Sequence, residues 1–406
     1  MNAARIASGF ACALALLLTA CGGGGGSGSG SNNASSSAPS AAANAPVALP
    51  PTAPANNAVQ LVVDQGTDGT AVNTPFVSVT ICVPGSSTCQ TVDHVMVDTG
   101  SYGLRIASSA LGAASGLPPV AAPSGAPLGE CASFVSGFAW GSVRTADVQI
   151  GGESALGVPV QVVNDPAIPG VPTGCANTGP AMGVGAGANG ILGVGFLRQD
   201  CGAACVGSAA PNVYYSCTST CVSTVAPLSS QVTNPVALFP TDNNGVAIAL
   251  PDVPLGGVPS ATGLLIFGVG TAPNNQIGSA QVYTADASGN VMTVYKGTRL
   301  TGFIDSGSNG IFLHDTAIRT CSGFYCPLTT LSLTATLTGA NGTSSSVPFT
   351  IENAGTLPDV AAAHLAGDLG STHSFDWGLP FFFGRTVFVA FNGASTPFGT
   401  GPYWAF

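Results

Sequence analysis

Two segments of this chain say nearly the same thing: "HVMVDTGSYGLRI" (His94 to Ile106) and "TGFIDSGSNGIFL" (Thr301 to Leu313). Each is an apolar run, then Asp, then Thr/Ser-Gly-Ser, then a Gly-apolar pair. At average usage Asp-[Thr/Ser]-Gly-Ser arises about once in 10⁴ positions. Two well-spaced copies with matching flanks mark a duplicated unit. A chain with one strand–turn unit in each half folds as two related halves, and this constrains the architecture more than composition does.

The repeat places a carboxylate where a charge is awkward, at the end of a buried strand. Gly100 and Gly307 let the backbone turn tightly and leave room for a second loop to approach. The hydroxyls of Thr99, Ser101, Ser306 and Ser308 can hold the loops and carboxylates. If the loops meet, Asp98 and Asp305 share one proton, because adjacent carboxylates cannot both ionise. One then acts as a base on water while the other polarises a carbonyl. Taken singly, each motif reads as an Asx-turn capping its own loop; the pair reverses that reading.

The remaining chain bounds the setting. Residues 1–20 read as an export signal ending "LTAC", with Cys21 the lipidation site. Gly22, rather than Asp, follows Cys21, which points to the outer membrane, with the domain in the periplasm or at the cell surface. Residues 21–58 are the lipidated Cys and a Gly/Ser/Ala/Pro tether. Charged residues make up 6%, the net charge is −10 and Lys296 is the one lysine, so no basic stripe exists to bind nucleic acid. With 56 glycines, many Thr, Ser and Val and no long run at helical spacing, the chain reads as mostly β.

Setting aside Cys12 and Cys21 leaves ten cysteines, an even number in an exported chain, so disulfides are expected. Cys82/Cys89 and Cys321/Cys326 bracket short turns, leaving Cys131 and Cys175 for each other. Cys201, Cys205, Cys217 and Cys221 read as two disulfides rather than a zinc site, with their pairing open. No metal or cofactor is expected.

Several segments carry a resemblance beyond the repeat. "FVSGFAWGSVRTADVQIGG" (Phe134 to Gly152), "NGILGVGF" (Asn189 to Phe196), "GLLIFGVG" (Gly263 to Gly270) and "FDWGLPFFFGRTVFVAFN" (Phe375 to Asn392) follow in the order of the pepsin-like aspartic proteases. The whole also resembles an uncharacterised family of bacterial lipoproteins. The likeness implies a mostly β, two-lobed architecture with an interlobe cleft, an N-lobe at 59–259 and a C-lobe at 260–406. It implies catalysis by Asp98 and Asp305, a flap hairpin over the cleft, and "ILG" at Ile191–Gly193 threading beneath the first Asp loop. That family's flap tyrosine, which bonds to a tryptophan, is replaced by Phe134, and the tryptophan by Arg105. Phe138 and Trp140 are other candidates to cover the cleft. Arg105 is expected to point to solvent.

"GAGANG" (Gly185 to Gly190) matches a dinucleotide fingerprint without its strand–helix context, and Trp377 reads as packing. The expected function is a lipid-anchored, monomeric aspartic endopeptidase acting on peptides or proteins. The alternative is a non-catalytic envelope lipoprotein using the same cleft for binding or assembly.

Overall fold

The computed structural model describes residues 55–185, 187–357 and 360–406. The expected signal peptide, Cys21 and nearly all of the tether lie outside the described residues. Among these residues the one α-helix is the single turn Thr173–Ala176, and the other helical pieces are 3-10 turns of three to five residues. The strands form one sheet of fifteen, one of nine and one of two, joined by turns and loops.

The duplicated segments have the same topology. Strand Cys89–Asp98 ends on the first Asp, and the chain returns as Tyr102–Ala107. Gly190–Val194 runs between them, parallel to the first (Val97↔Leu192, Asp98↔Gly193) and antiparallel to the second. In the other half, Thr298–Phe303 leads to Asp305 and the chain returns as Ile311–Leu313. Ser374–Asp376 runs between these two, parallel to one (Phe303↔Asp376) and antiparallel to the other. The "ILG" element thus threads beside the first Asp loop, and "DWG" is its counterpart. Both faces of the first Asp strand are covered, with Val95, Met96 and Val97 all buried. That burial explains a continuous apolar run where a half-exposed strand would alternate.

Strands from both halves share the middle of the larger sheet. Ala58–Val63 pairs with Ala261–Phe267, and Gly245–Leu250 pairs with both Ala261–Phe267 and Arg385–Ala390. The final strand, Tyr403–Ala405, lies between Arg385–Ala390 and Val282–Thr284. One apolar core runs through both sheets, from Leu61 to Phe406.

The ten cysteines form five disulfides: Cys82–Cys89, Cys131–Cys175, Cys201–Cys205, Cys217–Cys221 and Cys321–Cys326. Those of Cys82–Cys89 and Cys217–Cys221 join residues directly opposite on antiparallel strands.

Candidate active site

The two Asp loops meet through a reciprocal set of hydrogen bonds. The Thr99 N–H donates to Ser306 Oγ at 3.1 Å, and the Ser306 N–H donates to Thr99 Oγ1 at 2.9 Å. Each hydroxyl then donates to the carbonyl before the opposite Asp, Thr99 to Ile304 at 2.9 Å and Ser306 to Val97 at 2.7 Å. Four buried polar groups are thereby satisfied using two hydroxyls. Within each loop the Asp Oδ1 accepts the N–H two residues on, Gly100 for Asp98 and Gly307 for Asp305, both at 2.8 Å. The Asx-turn expected of each motif alone is therefore present inside the paired arrangement. A Cβ added at Gly100 would lie 2.7 Å from Asp305 Cγ, so only glycine lets the loops approach this closely.

Asp98 and Asp305 are both 0% exposed. Burial, and then the neighbouring Asp305 carboxyl, hold Asp98 well above the ordinary carboxylate range. Ser308 donates to Asp305 Oδ2 at 2.9 Å, and Ser101 stands at the equivalent place beside Asp98. Such a pair holds a proton between its members, one neutral as the other ionises, at pH values where isolated carboxyls would both be charged.

The expected flap is a hairpin of Leu128–Phe134 and Gly137–Ile150, with Phe134 opposite Gly137 at its tip. Phe134 packs with Met96 and Ile191, on the side of the first Asp strand. Phe138 and Trp140 face the other way, into a cluster with Cys131, Cys175 and Tyr215. Both edges of the hairpin are fastened. Tyr214–Cys217 pairs along one edge. On the other, the Phe138 N–H donates to Pro180 O at 2.9 Å, and the Met182 N–H donates to Phe138 O at 2.9 Å. The Cys131–Cys175 disulfide adds a covalent tie.

Arg105 does not point to solvent; it is 3% exposed. Its Nη2 lies 2.5 Å from Glu130 Oε1 and 3.5 Å from Asp200 Oδ2, and Nη1 donates to Tyr102 O at 2.7 Å. The guanidinium lies over the Phe134 ring, 5.8 Å from its centroid, in a cation–π contact. Hairpin pairing brings Glu130 inside, and a buried carboxylate requires a partner, so Arg105 turns inward to meet it. Burial, and then the Glu130 charge, push Asp200 up, while the Tyr214 hydroxyl donates to its Oδ1 at 2.5 Å.

Sequence reading missed Asp376. It is 1% exposed, and its Oδ1 accepts the Gly378 N–H at 2.8 Å, the same turn as at Asp98 and Asp305. Burial first, opposed by bonds to Ser308 and Gly378 and aided by the Asp98 charge, pushes it up to about 7. The one signal was weak: "DWG" is among six Asp-x-Gly triplets in the chain, and Asp64 and Asp368 make the same turn. Trp377 itself is packing: it is fully buried among Phe349, Phe375 and Phe381, and its indole donates to Thr293 Oγ1 at 3.1 Å. Tyr102, beside the dyad, is also pushed up to about 12 by burial and by the charges of Asp98, Asp286 and Asp305.

A family model described as a protein of unknown function, DUF3443, matches residues 53–406. No curated protein matches the chain. Among solved structures, the crystal structure of an aspartic proteinase from Irpex lacteus superposes with a TM-score of 0.50. It covers 86% of this chain and 96% of its own at 19% sequence identity, which establishes a pepsin-like fold and nothing about activity.

Proposed function

The chain belongs to the DUF3443 family of proteins of unknown function, and from the geometry of its site we propose that it is an aspartic endopeptidase. The observation that carries this reading is the reciprocal Thr99–Ser306 lock, which holds Asp98 against Asp305. In this reading the 59–259 and 260–406 lobes each donate one carboxylate to an interlobe cleft. The ionised member takes a proton from a water as that water attacks the scissile carbonyl. The neutral member donates to the carbonyl oxygen, giving a gem-diol whose breakdown returns the proton to the departing amine. Neither metal nor covalent intermediate takes part in this scheme. A lipid at Cys21 and the tether after it would hold the enzyme, as a monomer, at the outer membrane, facing the periplasm or the cell surface.

The complete burial of both carboxylates, with the hairpin paired along both edges, favours a second reading. In it the protein is a non-catalytic envelope lipoprotein whose cleft serves binding or assembly. One experiment separates the two. The soluble protein without Cys21 is incubated with an unfolded protein and a peptide library from acid to neutral pH. Cleavage abolished by Asp98→Asn and by a statine-type inhibitor supports the peptidase; no cleavage by folded, fully oxidised protein supports the second reading.

A further inference from the structure

Each Asp loop is held by a side chain as well as by the loop it faces. The Ser101 and Ser308 carbonyls take backbone N–H groups from just beyond Gly190–Val194 and Ser374–Asp376, Gly195 at 3.0 Å and Leu379 at 2.7 Å. The next carbonyl in each loop takes its donor from a buried polar side chain. At Tyr102 O the donor is Arg105 Nη1, at 2.7 Å. At Asn309 O, the equivalent place in the repeat, it is Asn73 Nδ2, at 2.8 Å. Arg105 acts on its own loop. Asn73 reaches across from the other half, over a sequence separation of 236.

Asn73 is 0% exposed and stands at φ 48°, in the left-handed region that asparagine tolerates better than most side chains. The chain there has left strand Ala58–Val63 and is about to enter Pro75–Cys82. Every bond of its amide goes to the second half. Nδ2 donates to Asn309 O and to Ala362 O, each at 2.8 Å, and Oδ1 accepts the Ala362 N–H at 2.7 Å. Both amide protons are thereby used. The Asn73 backbone N–H adds a bond to Val360 O at 3.1 Å. Apolar contact across the halves is made by its neighbour instead. Ala71 lies in the cluster of Met96, Phe134 and Ile191, whereas Val72 lies in that of Phe312, Phe324 and Leu365.

We propose that Asn73 is a positioning residue of the dyad: by holding Asn309 O it fixes the end of the second Asp loop and keeps the Ser308 hydroxyl on Asp305. The backbone at Ser308 is held by Leu379 at its own carbonyl and by Asn73 at the next, and the Ser308 hydroxyl donates to Asp305 Oδ2 at 2.9 Å. Without the Asn73 amide, the peptide after Ser308 can rotate and carry that hydroxyl off the carboxyl. A reacting group displaced by about 1 Å loses about a hundredfold in rate. The first half thus supplies both carbonyl clamps, Arg105 for the Asp98 loop and Asn73 for the Asp305 loop. The catalytic consequence rests on the peptidase reading.

The test compares Asn73→Gly, Asn73→Ala and Asn57→Ala in the oxidised protein. Glycine removes the amide and keeps the left-handed backbone; alanine removes the same amide and strains the backbone. Agreement between them assigns an effect to the amide, and an effect of alanine alone would refute the clamp. Asn57 is the control. It too is buried and bridges distant segments, donating to Phe267 O at 3.0 Å and Asn274 Oδ1 at 3.1 Å, but at the far end of strand Ala58–Val63. In both Asn73 variants kcat should fall about ten- to a hundredfold with KM held within about twofold, and in Asn57→Ala kcat should not change. Amide exchange reads the loop without any activity. In the Asn73 variants exchange at Ser306–Ser308 should rise about tenfold or more above that at Thr99–Ser101, and in Asn57→Ala it should not. Unchanged kcat in the Asn73 variants of a parent that cleaves would overturn the inference and leave the peptidase reading intact. If the parent cleaves nothing, the peptidase reading fails and exchange alone decides the clamp. A rise confined to Ser306–Ser308 supports it, and equal exchange in the two loops refutes it.

Discussion

Thr99 and Ser306 are each other's hydrogen-bond donor and acceptor, although 207 residues separate them. The two Asp loops are held by this exchange rather than by the carboxylates, whose mutual contact is repulsive when both are charged. It follows that the loop hydroxyls bear on stability, while the carboxyls are the groups to which the proposed reading assigns the chemistry.

Thr99→Ala leaves the Ser306 N–H and the Ile304 carbonyl unpaired in a dry interior, at about 1–3 kcal/mol for each orphaned group. Thr99→Ser keeps the hydroxyl and should recover most of this loss. The double variant Thr99→Ala with Ser306→Ala should cost less than the sum of the singles, because both remove the same exchange. Urea unfolding of the four proteins checks this; strict additivity would show that the lock is not a unit.

Under the proposed peptidase reading, Asp98→Asn and Asp305→Asn should each reduce cleavage by about 10³-fold or more, since neither half can supply both proton roles. A steady-state assay at acid pH reads this, with thermal unfolding as the check on folding.

Stability should decline as pH rises from about 4 to 7. Asp98, Asp200 and Asp376 all bind their protons more tightly folded than unfolded. The stabilisation is complete below the unfolded value of 3.8 and is lost as the pH climbs through the raised values. Asp68, Asp165, Asp315 and Asp368 are lowered and work in the opposite sense, but each is much less buried than the raised three. The raised three should prevail, so the melting temperature should be higher near pH 4 than at pH 7. A melting temperature that rises over this window would contradict the balance.

Arg105→Met strands Glu130 and Asp200 without their cation and should cost about 3–5 kcal/mol. Replacing Arg105, Glu130 and Asp200 together with apolar residues should cost much less. Chemical unfolding distinguishes the two cases.

Reducing Cys131–Cys175 should lower the melting temperature, because the residues it joins are 44 apart and the closed loop contributes about 4 kcal/mol. Cys201–Cys205, with a separation of 4, should contribute less. Hydrogen exchange at Leu128–Phe134 should rise in a Cys131→Ser, Cys175→Ser variant and not in its Cys201, Cys205 equivalent.

Much of this arrangement was legible in the sequence because it is written twice. Asp98, Asp305 and their hydroxyl neighbours repeat as a word, and "ILG" stood out by its resemblance to a segment of the pepsin-like proteases. Arg105 was misjudged because its partners are distant in sequence. Glu130 reaches it only through the flap hairpin, and Asp200 only through the loop after Gly190–Val194. Asp376 escaped notice for another reason. It stands where the repeat breaks its own pattern, and a lone carboxyl among aromatics looks like a surface turn until register places it.

The last strand, Tyr403–Ala405, gives the chain a keystone. Trp404 lies edge-on to Phe196, and its indole donates to Gly289 O at 3.1 Å, tying the end of the chain to both halves. A nascent polypeptide still short of Tyr403 leaves Arg385–Ala390 with an open edge and Phe196 without its ring partner. Docking of this one short strand therefore closes the sheet edge beside Arg385–Ala390 and completes the ring contact at Phe196 in a single step.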